Sequence, residues 1–122
     1  MATNRITVME GSSFKVRYTY RRNGAVSYIP EGRNLIIGLY TPKGKLILSG
    51  RLNNPGQNEI HITQDENDDY IYVMEFSHEH TVGLIGAFPL EVSVVDDNLD
   101  DVKHATSLVT FDFVERKNNS IL

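Results

Sequence analysis

The chain has no cysteine and no tryptophan, and no apolar run near the 18 residues that a membrane-spanning helix needs. Without cysteine there is no disulfide, thiolate zinc site, thiol nucleophile or iron–sulfur cluster. The opening residues MATNRITVME lack the basic-then-apolar layout of a signal peptide, so the chain is expected to be made in, and to stay or assemble in, a cytoplasm-like compartment. Helical periodicity is nearly missing as well. So are the Gly-x-Ser-x-Gly elbow and the phosphate loop, and a 122-residue chain has little room for a glycosidase cleft between two carboxylates. The sequence predicts neither an enzyme nor a cofactor.

What is present is a length suited to one domain and an apolar content of 40%, too high for disorder. Period-2 alternation recurs. Phe14, Val16, Tyr18 and Tyr20 alternate with Lys15, Arg17 and Thr19, which predicts a half-buried strand with one wet, basic face. Asn23-Gly24 supplies the positive φ angles of a tight hairpin. The segment 35–40 is apolar on both faces and predicts a central strand covered on two sides; it is joined through Thr41-Pro42-Lys43-Gly44 to a strand over 45–52.

Ile60 and Ile62 mark a short strand over 59–63. The next strand, over 70–76, places Tyr70, Tyr72, Met74 and Phe76 on one face. Ser77 caps the one helical turn expected, near 77–84, which Gly83 and Gly86 end. Strands over 87–96 and 106–115 close the chain, and residues 6–9 open it. Seven to eight strands at roughly ten-residue spacing predict an all-β, antiparallel sandwich with a core over about 6–115 and short tails.

Several clusters invite chemical readings. Asp65-x-Asn67-x-Asp69 copies the start of an EF-hand loop, but Tyr70 replaces the bending glycine and Phe76 the bidentate glutamate, so it reads as a solvated hairpin loop. Asp96, Asp97, Asp100 and Asp101 form a second acidic loop, read as a charged edge in preference to a cation site between loops. His78 and His80 sit two apart, which on a helix turns them away from each other and misses the zincin spacing. Tyr18, Tyr20, Arg21 and Arg22 mix aromatics and cations as a single-strand-binding sheet would, but the alternation buries the tyrosines, and nucleic acid is set aside as a partner.

Charge is divided along the chain. Residues 1–51 carry nine cations and two anions, residues 52–122 three cations and fourteen anions, for nets of +7 and −11 within a total of −4. If the folded strands keep these groups apart, complementary patches favour docking between copies or onto a partner.

The segment Thr81-x-x-Leu84-x-Gly86-x-Phe88-x-x-Glu91-Val92, with the Gly-rich opening Glu10-Gly11-Ser12-Ser13-Phe14, resembles immunoglobulin-like domains of tailed-phage virion proteins, among them the N-terminal modules of baseplate upper proteins. Phe88 stands where that family prefers tyrosine, which removes a hydroxyl hydrogen bond. The resemblance implies an immunoglobulin-like sandwich and a non-enzymatic virion role, docked to capsid or tail subunits; the divided charge adds self-association into a homo-oligomer as an expectation, and the lack of a long apolar run sets a membrane partner aside. A chain stopping at Leu122 is expected to be a decoration, adaptor or fibre-anchoring subunit.

The residues expected to carry docking are Lys15, Arg17, Arg21 and Arg22 on the basic side. Asp68, Asp69, Asp97, Asp100 and Asp101 are expected on the acidic side, with Ile121 and Leu122 plugging a partner groove. The alternative is a carbohydrate or host-surface binding module, for which Tyr28, Tyr40 and Tyr70 are the candidate exposed aromatics.

Overall fold

A computed structural model describes residues 4–99 and 102–115. The alternating segments fold as strands. In chain order they are β1 (Asn4–Met9), β2 (Phe14–Thr19), the two-residue strands β3 (Arg21–Arg22) and β4 (Ala25–Val26), β5 (Arg33–Tyr40), β6 (Leu46–Arg51), β7 (His61–Gln64), β8 (Ile71–Phe76), α1 (His78–Thr81), β9 (Gly86–Asp96) and β10 (Lys103–Val114). Asn23 and Gly24 both take positive φ, +53° and +81°, which matches the mirror-image turn of the β3–β4 hairpin.

The strands form two principal sheets, ordered β1-β10-β9-β5-β6 and β2-β8-β7. They face each other as in an immunoglobulin-like sandwich, with α1 as the turn carrying the chain from the smaller sheet to the larger. Among the described residues all pairings are antiparallel except one. β1 lies parallel on β10, Asn4 opposite Val109 and Met9 opposite Val114. One core joins both sheets: Leu35, Ile37, Leu90, Val94 and Phe111 from the larger pack against Tyr72, Met74 and Phe76 from the smaller.

Two sequence readings need correction. β5 is central, between β6 and β9, and Leu35, Ile37 and Leu39 are buried, but Ile36 and Tyr40 on its other face are only half-buried. Asn34 and Gly38 on that face are buried, and a shallow cavity over it is lined by side chains of the same sheet, among them Ile36, Tyr40, Leu46 and Glu91. Tyr70 precedes β8 and is exposed, so it does not join the inward row of Tyr72, Met74 and Phe76.

The closing segment is pinned through Thr81. Its side chain is fully buried, its Oγ1 donates to the Ser12 carbonyl at 2.8 Å, and its own carbonyl accepts from the Gly11 and Leu84 N–H groups. Ser13 Oγ accepts the His78 N–H at 3.0 Å, so the β1–β2 turn and α1 hold each other. Gly86 enters β9 at φ +110°, a region in which side chains are strained, and Phe88 is buried against Phe113. Thr81→Val keeps the shape and removes the donor, leaving the Ser12 carbonyl without this partner. A loss of about 1–3 kcal/mol in chemical unfolding is expected.

Candidate functional site

The basic face of β2 is where alternation placed it. Lys15 and Arg17 are exposed, and the inward Phe14, Val16 and Tyr18 are half-buried. The charges, however, are engaged within the molecule. Arg17 Nη1 lies 2.9 Å from Asp65 Oδ1, Lys15 Nζ 4.0 Å from Glu75, Arg51 3.7 Å from Glu59, and Arg5 grips Asp112 through two nitrogens. Of the five ion pairs among the described residues, these four join the basic first half of the chain to the acidic second half. Along the chain the two signs are apart; in the sandwich they interleave, because β1 pairs with β10 and β2 with β8.

The Arg17 guanidinium, hydrogen-bonded to Asp65, is the main cause holding that carboxyl below its ordinary value; the Asn67 N–H adds to it. A carboxyl whose folded pKa lies below its unfolded one favours the folded state at neutral pH, and that contribution is lost as pH falls through the folded pKa. Arg17→Gln is expected to move the Asp65 titration upward, toward an ordinary aspartate, in a carbon-detected NMR titration. An unmoved titration would mean that the pair is not formed in solution.

Arg21 and Arg22 lie on β3, within the connection from β2 to β5, and none of the five ion pairs includes them. Asp68 and Asp69 lie in the β7–β8 loop and Asp97 in the β9–β10 loop. These connections meet at one end of the sandwich: the Asp97 N–H donates to the Gly32 carbonyl, and the Ile29 N–H to the Tyr72 hydroxyl. Arginines assigned to a basic side and aspartates assigned to an acidic one therefore share an end.

Several carboxylates shape their own loops. Asp65 accepts from the Asn67 N–H, Asp68 from Tyr70 and Asp96 from Asn98, each bond spanning two residues. Asp100, Asp101, Ile121 and Leu122 lie outside the described residues.

The same end carries an aromatic pair. Tyr28 and Tyr70, both exposed, stack with centroids 4.4 Å apart and planes 22° from parallel. The Tyr70 hydroxyl is the main cause raising the Tyr28 pKa above its ordinary value, with smaller contributions from Asp69 and Asp68. Beside Tyr28 lies a shallow cavity of about 390 Å³, whose polar lining includes Arg33, Asn53, Gln64 and Asp97. Tyr40, at the opposite end of β5 and half-buried, stands apart from this pair.

The histidines diverge. His78 Nδ1 donates to the Gly11 carbonyl at 2.6 Å, whereas His80 Nδ1 accepts the Ser77 N–H at 2.9 Å, so each ring locks a different turn.

A feature that alternation does not reveal runs along one flank. β1 ends one sheet and β2 ends the other, and between these edges lie two adjoining cavities of about 530 and 540 Å³. Ile6, Val16 and Arg17 line both. The signal available in the sequence was the short, apolar spacing of Ile6 and Val8 ahead of the Gly11 turn; what it lacked was the sheet each strand joins.

No family model matches the chain. An alignment 69 positions long, covering 54% of the chain, is 33% identical to the DNA mismatch repair protein MSH3 of Debaryomyces hansenii, and the match takes in 6% of that protein. A match covering so small a share of that relative does not show a shared family.

Proposed function

We propose that this chain is a non-enzymatic structural component of a phage particle, an immunoglobulin-like module that docks onto capsid or tail subunits. The observation that carries this reading is the fit of the phage-like closing segment to its structural roles. Thr81 anchors the helical turn, Leu84 packs on the core, Gly86 turns the chain into β9 and Phe88 is buried. The Gly11–Ser13 opening is the partner that Thr81 and His78 hold, so both halves of the resemblance meet at one place. The test is quantitative mass spectrometry of particles banded from the source culture. The chain is expected in them at a fixed ratio to the capsid subunit; its confinement to the soluble fraction would refute the role.

The stacked Tyr28–Tyr70 pair favours a second reading, glycan binding at the loop end. An exposed ring face offers apolar contact to a sugar, while Arg33, Asn53 and Gln64 offer partners for hydroxyls. Binding on a glycan array, abolished by Tyr28→Ala, is the result expected of that reading. An array without signal would dismiss it.

A further inference from the structure

We propose that the seam between β1 and β2 receives an extended strand of a partner protein, alternating apolar and acidic residues, which adds to the free edge of β2. This rests on the docking role above and names its surface and partner class.

Among the described residues β2 pairs with β8 on one side only, and its other edge there presents backbone donors and acceptors without a strand partner. Its inward residues bear the mark of a missing neighbour. Phe14, Val16 and Tyr18 are only partly buried, while Phe76, Met74 and Tyr72, directly opposite them on β8, are buried. Across the seam Ile6 is 43% exposed at the edge of the other sheet. The trough thus has an apolar floor flanked by two strand edges, the arrangement that strand addition uses: backbone bonds for affinity, alternate side chains for specificity.

The sign of the partner follows from the lining. Among the described residues, every charged side chain lining the trough is a cation: Arg5, Lys15 and Arg17. Their side chains stay more than half exposed despite their ion pairs. A strand beside β2 sets its inward side chains next to Phe14, Val16 and Tyr18, and its outward ones next to Lys15 and Arg17. Period 2 therefore calls for apolar residues inward and carboxylates outward. A second copy pairing through its own β2 sets Lys15 and Arg17 against themselves, and like charges across a strand pair repel.

The probe is a blocked nine-residue peptide alternating valine and glutamate, titrated into the isotope-labelled full chain and followed by backbone amide NMR. Expected are shift changes and slowed amide exchange over residues 14–19, weakened by salt. Arg17→Glu is expected to weaken binding about tenfold, the scale of an attractive cross-strand pair turned repulsive. Ile6→Ser, at an exposed site, is expected to weaken it without disturbing the fold.

Equal binding by the valine–lysine peptide or by a shuffled valine–glutamate peptide would overturn the proposal. Shifts confined to the loop end would overturn it too, as would no binding at millimolar peptide. Peptide binding by a chain missing from particles would refute the virion role and leave the strand site standing.

Discussion

Phe76→Ala is expected to lower the melting temperature by about 10–20 °C in calorimetry. Phe76 is 1% exposed and joins both sheets. It stacks on Phe14 at 5.0 Å with planes 6° apart, and meets Phe111 edge-on at 5.5 Å and 80°. Truncating a buried phenylalanine costs about 3–5 kcal/mol, from lost transfer energy and the cavity left behind. That is a large share of the roughly 5–15 kcal/mol by which a domain is stable. For a chain of this length each kcal/mol moves the midpoint by about 3–5 °C, which gives the stated range. A fall below about 5 °C would mean that the ring cluster does not hold the sheets together. Phe14 loses its stacking partner in the same variant, so β2 is the strand expected to loosen first.

Gly50→Ala is the second large effect. A Cβ at Gly50 would lie 2.6 Å from the Ile60 carbonyl oxygen and 3.0 Å from Ile60 Cβ. The obstacle is backbone, not the end of a flexible side chain, and Ile60 is itself tied by its N–H to the Ser49 carbonyl at 2.8 Å. Here the chain, having left β6 of the larger sheet, passes back against it on the way to β7 of the smaller, and only a glycine allows the approach. Overpacking at such a site costs about 1–3 kcal/mol, and more where backbone must shift. The control is Gly56→Ala, whose added Cβ meets only Glu59 side-chain atoms at 3.4 Å and beyond. In parallel urea unfolding Gly50→Ala is expected to fall well below Gly56→Ala; equal midpoints would contradict the close approach.

Alternation made most of the sandwich legible. Phe14 to Thr19 shows one apolar face, Ile71 to Phe76 sets Tyr72, Met74 and Phe76 on one side and Ile71 and Val73 on the other, and Asn23-Gly24 carried its own turn chemistry. The helical turn was legible from Ser77 and the two glycines after it. What local pattern does not hold is partnership between distant segments. Nothing near Gly50 signals Ile60 above it, and nothing in β1 says that it lies parallel on β10.

The charge division shows the same limit. The first half is basic and the second acidic, yet sandwich topology pairs first-half strands with second-half strands, so Arg5 meets Asp112 and Arg17 meets Asp65. For the same reason Arg21, Arg22, Asp68, Asp69 and Asp97 come to one end. The aromatic candidates divided too: Tyr28 and Tyr70 meet, whereas Tyr40 serves the outer face of β5. The seam was hidden because an edge is a property of sheet order, and the alternation of β2 looks the same with one neighbour or two.

Hydrogen exchange of the chain, free and bound in assembled particles, tests the proposed docking through the β1–β2 seam. Docking there is expected to add protection at amides of residues 14–19 and 4–9, with the loop end around Tyr28 and Tyr70 unchanged. Protection gained at that loop end, with the seam exchanging as fast as in the free chain, would contradict it.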